Sequence, residues 1–215
     1  MIQRVYERAM LAKNLCGVVV ATDDARIFEC VESFGGKAVM TDSSLSNGTA
    51  RCEQAVRLYD SDVDAVINIQ GDEPLLDPVM IDEAAELLKE NYCVTLCREF
   101  REGEDFQNPN AVKVVMSQDG YALYFSRSVI PYKRNASDLP VYQHIGIYGY
   151  STDFLKKYVS LPNTPLSDAE SLEQLKILEH GYKIRVKVTS SERESVGVDT
   201  PEDLQRVREI LNAEV

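Results

Sequence analysis

The chain has 215 residues, enough for one sizeable domain with its own hydrophobic core. It is 44% hydrophobic, as in ordinary globular proteins, and its 35 acidic against 23 basic residues give a net charge of -12. This balance argues against a general binder of nucleic acid or anionic membranes; because no apolar run reaches membrane-spanning length, a cytoplasmic protein is expected.

The first half of the chain alternates helical and strand-like patterns. A helix pattern with Ile2, Val5 and Ala9 on one side opens the chain and ends near Asn14. The patterns that follow are GVVVATDD (17–24), RIFECVESF (26–34), KAVM (37–40), SNGTARCEQAVRLY (46–59), DAVINIQ (64–70), a helix over about 79–90 and YCVTLC (92–97). This alternation predicts an α/β protein with a mostly parallel sheet that helices cover on both faces.

The middle of the chain has a different pattern. AVKVVMSQDGYALYFSR (111–127) contains two strand-like runs around Asp119-Gly120, a strong signal for a hairpin. HIGIYGYS (144–151) predicts a further strand. No repeat, low-complexity tract or linker divides the chain. We therefore predict a single α/β domain over residues 1–215 with an inserted antiparallel hairpin region.

Two helices near the end of the chain carry start signals. Ser167 and Glu170 have the spacing of a capping box, ahead of an apolar pattern that Gly181 ends. Thr200 and Pro201 have the order of an N-cap and a first helical residue, ahead of a second apolar pattern. Both patterns therefore predict helices.

The cysteines and histidines argue against a zinc-type metal site and against a fold stabilised by disulfides. The cysteines are Cys16, Cys30, Cys52, Cys93 and Cys97. Their number is odd, and no CxxC pair or zinc spacing occurs, so we interpret them as reduced structural thiols. The chain has two histidines, too few for a histidine-rich metal cluster.

Polar residues directly follow two apolar runs. The run VINI ends in Gln70, Gly71 and Asp72, and a short apolar approach places Asp199 before the last helix. Open α/β sheets bind ligands at the carboxyl ends of their strands, and Mg²⁺ takes one or two carboxylates together with phosphate oxygens. Metal-assisted nucleotidyl transfer is one interpretation; a polar loop and an ordinary helix entry are the alternatives.

Seven segments, in order and over essentially the whole chain, resemble the 3-deoxy-manno-octulosonate (KDO) cytidylyltransferases, also called CMP-KDO synthetases. The segments are VVVATDD, SNGTARCEQAV, VINIQGDEPLL, NPNAVKVVMSQDGYALYFSRSVIPY, HIGIYGY, LEQLKILEHGYKI and GVDTPEDLQRVR. The resemblance implies a Rossmann-like nucleotidyltransferase fold and a homodimer. It also implies the Mg²⁺-dependent reaction of CTP with KDO, which gives pyrophosphate and CMP-KDO for lipopolysaccharide biosynthesis.

The resemblance also assigns roles to particular residues. Asp72 and Asp199 would be the catalytic Mg²⁺ ligands. The implied nucleotide-binding residues are Ser46, Gly48, Thr49, Arg51 and Gln70. The implied sugar-binding residues are Gln70, Arg127, His144, Tyr148, Glu173 and Gln174. Arg127 would pair with the sugar carboxylate, because a planar guanidinium can bind a carboxylate through two parallel hydrogen bonds.

The beginning of the chain departs from the family pattern. Family members begin with a strand and a loop similar to IPARxxSxRLPGKPL, whereas this sequence begins with MIQRVYERA. We therefore expect an N-terminally truncated chain, with the VVVATDD and VINIQGD strands either separated by a gap or paired directly. A second hypothesis is a catalytically impaired sugar-nucleotide-binding or dimerisation fragment. The sequence also leaves open whether KDO or its 8-amino analogue is preferred.

Overall fold

The structure is a computed structural model that describes residues 1–45, 47–59, 62–193 and 197–213. Its elements are, in chain order, α1 (Ile2–Ala9), β1 (Val20–Thr22), α2 (Ala25–Ser33), β2 (Ala38–Met40), α3 (Gly48–Tyr59), β3 (Ala65–Asn68), α4 (Pro78–Leu88), β4 (Cys93–Glu99), β5 (Lys113–Met116), β6 (Ala122–Ser126), β7 (Tyr142–Ser151), α5 (Thr152–Ser160), α6 (Pro165–Glu170), α7 (Glu173–Glu179), β8 (Arg185–Val188) and α8 (Pro201–Ala213). No helix of the described residues is long and apolar enough to cross a membrane.

The chain divides into two units, each described here by itself. The first comprises Met1–Val63, Ile67–Glu86 and Ser190–Val215; the second comprises Asp64–Val66 and Leu87–Thr189. That the whole chain is a single nucleotidyltransferase domain stays a prediction.

The first unit contains a parallel pair of strands. β1 pairs with β2 in the register Val20 with Ala38 through Thr22 with Met40. The helix between them, α2, begins where the Asp24 side chain accepts a hydrogen bond from the Arg26 amide at 2.8 Å. Thr22 and Thr41, at the carboxyl ends of the two strands, are buried. Two buried threonine side chains therefore lie at this edge of the sheet.

The sheet of the second unit is mixed. Its strand order is β6-β5-β7-β4-β8, and β3, which begins in this unit, pairs with β7. β4 and β8 are parallel, whereas the β4–β7, β5–β6 and β5–β7 pairs are antiparallel. The α/β prediction is confirmed, but this sheet is mixed with a parallel portion, not mostly parallel as the alternation of helices and strands predicted.

The predicted relation between the VVVATDD and VINIQGD strands can be compared with these pairings. Within the described residues β1 pairs with β2, and β3 pairs with β7 in the other sheet. Within the described residues the two strands are therefore not paired directly with each other, and a gap between them stays a prediction.

The hairpin between β5 and β6 is confirmed. The strands pair antiparallel from Lys113 with Ser126, and Gly120 in the turn has a φ of 76°, which glycine adopts readily. The sequence analysis missed the helices at Thr152–Ser160 and Pro165–Glu170 and the strand at Arg185–Val188. All three elements are short, so that few residues carry their periodicity.

The predicted N-cap at Thr200 is confirmed, and the predicted capping box at Ser167 is wrong. At the start of α8 the Asp203 amide donates to Thr200 Oγ1 at 3.2 Å, and the Thr200 amide donates back to the Asp203 carboxylate at 2.9 Å. Ser167 instead lies inside α6, and Glu170 accepts hydrogen bonds from the Ser126 hydroxyl and the Arg127 amide. Tertiary partners from β6 thus use the carboxylate that the local pattern assigned to a cap.

The cysteines are all free thiols. Cys93 and Cys97 lie buried in β4, and burial raises the pKa of Cys97 to about 12, so that it stays protonated and unreactive. The interpretation as packed structural thiols is confirmed for these two. Cys16 and Cys30 are exposed, and Cys52 is half-buried.

Gly149 in β7 provides a test of the packing in the second unit. A Cβ atom at this position would lie 2.6 Å from Val94 Cγ2 and 2.7 Å from Leu88 Cδ1. We expect Gly149→Ala to lower the free energy of unfolding by about 1–3 kcal/mol, because an overpacked core must shift. Urea unfolding followed by circular dichroism measures this.

The matched control is Gly17→Ala, because a Cβ atom there meets nothing within 4 Å. It should leave the urea midpoint nearly unchanged. Equal effects of the two substitutions would contradict close packing around Gly149.

Candidate active site

Asp72 and the segment before Asp199 are joined by a main-chain hydrogen bond. The Val198 amide donates to the Asp72 carbonyl at 2.9 Å. Asp72 is half-buried just beyond the end of β3, and Asp199 is exposed just before α8. The structure therefore brings together the two chain segments that carry the predicted catalytic aspartates, although they are far apart in the sequence.

A third carboxylate lies beside the same segment. A Cβ atom at Gly197 would be 3.4 Å from Glu73 Oε1, so the Glu73 side chain approaches the chain just before Val198. The sequence analysis did not single out Glu73, although it directly follows Asp72. Among the described residues no group of three or more histidine, cysteine or carboxylate side chains is arranged to hold a metal ion.

The predicted nucleotide-binding turn forms the start of α3. Asn47 Oδ1 accepts a hydrogen bond from the Ala50 amide at 2.9 Å, which caps this helix, and Gly48 is its first residue. Thr49 is fully buried. A Cβ atom at Gly48 would lie 3.3 Å from Asn68 Nδ2 and 4.0 Å from Gln70 Nε2. The helix start, Gln70 and Asn68 thus lie together, while Ser46 falls outside the described residues.

Arg51 connects α3 to the polar edge of the parallel pair. Its guanidinium donates to Thr41 Oγ1 at 2.6 Å and to the Asp23 carboxylate at 3.2 Å. Asp23 and Thr41 immediately follow β1 and β2. All the described nucleotide and metal candidates, Gly48, Thr49, Arg51, Gln70, Asp72 and Asp199, belong to the first unit.

Arg127, in the second unit, is held by main-chain carbonyl groups. Its Nε donates to the Glu170 carbonyl at 2.7 Å, and its two terminal nitrogens donate to Pro109 and Ser171 carbonyls at 3.1 and 3.3 Å. A guanidinium has five N–H donors. Three of them therefore orient the side chain, and the other two can bind an anionic ligand.

Lys113 and Glu170 fix the main chain around Arg127. Lys113 is fully buried, and its ammonium group donates to the Arg127 carbonyl at 2.5 Å and to the Asn108 carbonyl at 3.1 Å. Burial raises the pKa of Glu170, but hydrogen bonds from Ser126 and the Arg127 amide outweigh it and hold that pKa below its ordinary value. Sequence reasoning missed Lys113, because a lysine in a strand normally indicates an exposed position, and it assigned Glu170 to a helix cap instead.

The hydrogen bonds of Thr95 determine which nitrogen of His144 carries a proton. The Thr95 hydroxyl donates to the Ile147 carbonyl at 2.7 Å, and His144 Nε2 lies 2.9 Å from the same hydroxyl oxygen. Because the hydroxyl has a single proton, Nε2–H must be the donor to it, and Nδ1 is then the acceptor nitrogen. Burial lowers the pKa of His144 to about 3, so the ring is neutral near pH 7.

Tyr148 lies close to His144 because both side chains lie on the same strand, β7. Their ring centroids are 5.2 Å apart, and a β-bulge shifts the register of β7 against β4 between these two residues. Burial, and secondly the Glu173 carboxylate, raises the pKa of Tyr148 well above its ordinary value. Glu173 itself accepts a hydrogen bond from the Tyr158 hydroxyl at 3.0 Å, and Gln174 beside it is buried.

Comparison with known families identifies the class of protein. The family model described as Cytidylyltransferase matches residues 1–184. The chain belongs to the cytidylyltransferase family and is a nucleotidyltransferase.

Named relatives match over nearly the whole chain. The 3-deoxy-manno-octulosonate cytidylyltransferase of Thermodesulfovibrio yellowstonii is 49% identical over 98% of this chain and 88% of its own length. The 8-amino-3,8-dideoxy-manno-octulosonate cytidylyltransferase of Shewanella amazonensis is 47% identical over 100% of this chain and 89% of its own length.

Solved structures give the same fold. The structure of a CMP:2-keto-3-deoxy-manno-octonic acid synthetase complexed with CTP aligns with a TM-score of 0.92 and 39% identity, covering 100% of this chain and 88% of that one. A 4-diphosphocytidyl-2C-methyl-D-erythritol synthase from Anaerococcus prevotii aligns with a TM-score of 0.64 at 11% identity, over 98% and 86% of the two chains. The second match shows the fold alone. The predicted α/β nucleotidyltransferase fold is thus confirmed.

The protonation of His144 can be tested directly by NMR. Its pKa falls from an ordinary 6.5 to about 3, so we expect its ring signals not to titrate between about pH 8 and about pH 5. Between pH 6.5 and about pH 3 the unfolded chain binds a proton at this residue that the folded chain does not. The stability that His144 contributes is therefore lost as the pH falls from 6.5 towards 3.

The chain has two histidines, so the His180→Gln variant assigns the signals of His144. A ring that titrates near pH 6.5 in that variant would contradict the burial of His144.

Proposed function

We propose that this protein transfers the cytidylyl group of CTP to KDO, releasing pyrophosphate and forming CMP-KDO. The observation that carries the proposal is the hydrogen bond from the Val198 amide to the Asp72 carbonyl, which places two acidic segments at one strand end. The names of the relatives and the CTP in the related structure support the choice of substrates. Relatives of both sugar types match at similar identity, so KDO and its 8-amino analogue should be assayed side by side.

Mg²⁺ is the metal that the candidate ligands suit. Asp72 follows β3 and Asp199 precedes α8, and a main-chain hydrogen bond joins the two segments. Both residues supply hard oxygen donors. Mg²⁺ is commonly bound by one or two carboxylates, with water and substrate phosphates as its other ligands. A bound Mg²⁺ would lower the pKa of the attacking hydroxyl and stabilise charge on the phosphates.

The residues of the first unit would bind and orient the nucleotide. The start of α3 offers main-chain N–H groups and a positive helix end, which favour an anionic or polar ligand. The Gln70 side chain lies near Gly48 at this helix start and can hold the ribose or base. The α-phosphate would then lie near Asp72 for in-line attack by the anomeric hydroxyl of KDO.

The residues of the second unit would bind the sugar. Arg127 has two N–H donors beyond those that orient it, which suits the planar KDO carboxylate. His144 offers Nδ1 as an acceptor for a sugar hydroxyl. Tyr148, Glu173 and Gln174 lie on neighbouring elements and can bind further hydroxyls. Assembly as a homodimer and location in the cytoplasm stay predictions.

The aspartates provide the first test of this proposal. Asp72→Asn and Asp199→Asn should each reduce the rate of transfer at least about 100-fold, because an amide is a poor ligand for Mg²⁺ and the Mg²⁺ is what would offset the phosphate charge. Pyrophosphate release with CTP and KDO measures the rate. The matched control is Asp153→Asn, whose side chain is 99% exposed and which should retain the parent rate.

Near-normal rates for Asp72→Asn or Asp199→Asn at ordinary Mg²⁺ would refute the metal assignment. Circular dichroism should show that each variant is folded.

The arginine provides a second test that separates the two substrates. Arg127→Lys should weaken KDO binding about 10- to 100-fold and change CTP binding much less, because lysine keeps the charge but cannot form two parallel hydrogen bonds. Isothermal titration of each ligand measures this. The control is Arg57→Lys on the exposed side of α3. An equal loss for both ligands would place Arg127 away from the sugar.

A further inference from the structure

Asn68 is a buried polar residue with an unusual environment. It is the last residue of β3 and is 5% exposed. Its Nδ2 atom has no hydrogen-bond partner among the described residues. Buried amide groups are nearly always hydrogen-bonded, because an unpaired donor has lost its water without compensation. The Asn68 donor therefore calls for a partner that the described protein does not supply.

The unpaired donor lies against the start of α3, a helix of 12 residues. A Cβ atom on Gly48, the first residue of this helix, would be 3.3 Å from Asn68 Nδ2 and 3.8 Å from its Oδ1. That separation is tighter than an ordinary contact, so a side chain at position 48 would press on the amide. Gly48, which has no side chain, therefore avoids this crowding of the Asn68 carboxamide.

Gln70 places a second carboxamide near Gly48. Its Nε2 is 4.0 Å from the same Cβ position, and it lies two residues beyond Asn68, a spacing that in an extended chain puts both side chains on one side. The helix N-terminus adds partial positive charge. Two carboxamides and the start of α3 thus lie together beside Gly48.

We propose that Asn68 binds the nucleotide by donating a hydrogen bond from Nδ2 to an oxygen of the nucleoside, with Gly48 as the residue that lets this oxygen approach. The inference rests on CTP being the nucleotide substrate, as proposed above. An oxygen acceptor is the chemistry that a paired set of amide donors and a helix N-terminus recognise. The base carbonyl and the ribose 2′-hydroxyl both supply such an oxygen.

Asn68→Leu tests the proposal, because leucine has nearly the shape of asparagine and no hydrogen-bonding groups. We expect the Kd for CTP, measured by isothermal titration, to rise about 3- to 10-fold, the effect of one lost neutral hydrogen bond. The urea midpoint without ligand should be equal to or above that of the parent, because the unpaired amide is removed. A structural role for the carboxamide would instead lower the midpoint.

Gly48→Ala is the second variant, and it crowds the Asn68 carboxamide without removing it. Its added methyl group should also raise the Kd for CTP while leaving the Kd for KDO unchanged. Asn163→Leu, at an exposed position, is the matched control and should change neither constant. Unchanged CTP binding in both Asn68→Leu and Gly48→Ala, or a lowered urea midpoint in Asn68→Leu, would overturn the proposal.

A comparison with 2′-deoxy-CTP separates the two acceptors. If Asn68→Leu weakens CTP but not 2′-deoxy-CTP, the ribose hydroxyl is the partner; if it weakens both equally, the base carbonyl is. Because these are binding measurements, they are independent of sugar transfer. If Asn68→Leu weakens CTP binding while the parent forms no CMP-KDO, this inference is sustained and the proposed function is refuted. If the parent forms CMP-KDO while Asn68→Leu leaves CTP binding unchanged, the proposed function is sustained and this inference is refuted.

Discussion

The hydrogen bond between the Val198 amide and the Asp72 carbonyl is the contact on which the arrangement of the two candidate metal-binding segments depends. It uses main-chain groups, so it places both segments without using either carboxylate. Asp72 and Asp199 therefore keep their side-chain oxygens for other partners, and α8 begins directly after this contact. Glu73 adds further negative charge beside the same segment, next to Gly197.

The second unit shows how tertiary contacts fix the positions and charges of polar side chains. Arg127 is oriented by three carbonyl groups, and its main chain is held by the buried Lys113 and by Glu170. His144 is kept neutral by burial and limited to one tautomer by Thr95. Each of these groups has its rotamer and charge set before any ligand arrives, which reduces the free-energy cost of ordering them on binding.

Local signals in the sequence were reliable where the partner lies within a few residues. The Thr200 N-cap forms as the pattern predicts, and so does the turn at Gly120. The capping-box spacing of Ser167 and Glu170 failed, because Ser126 and the Arg127 amide bind that carboxylate across the fold. Lys113 was missed for a related reason: its carbonyl partners, Asn108 and Arg127, are brought to it only by the pairing of β5 and β6.

The sequence alone determined the α/β class, the hairpin, most of the helices and, by resemblance, the family, because periodicity, turn residues and motifs are local properties of the chain. It also indicated that polar residues after strand ends are candidates for a site. The tertiary structure decided that a hydrogen bond joins the Asp72 and Asp199 segments, and which ring nitrogen of His144 carries the proton. It also decided that Asn68, an ordinary residue in the sequence, is buried with an unpaired donor facing Gly48. These features depend on which distant groups meet and which lose contact with water, and no local pattern of residues encodes that.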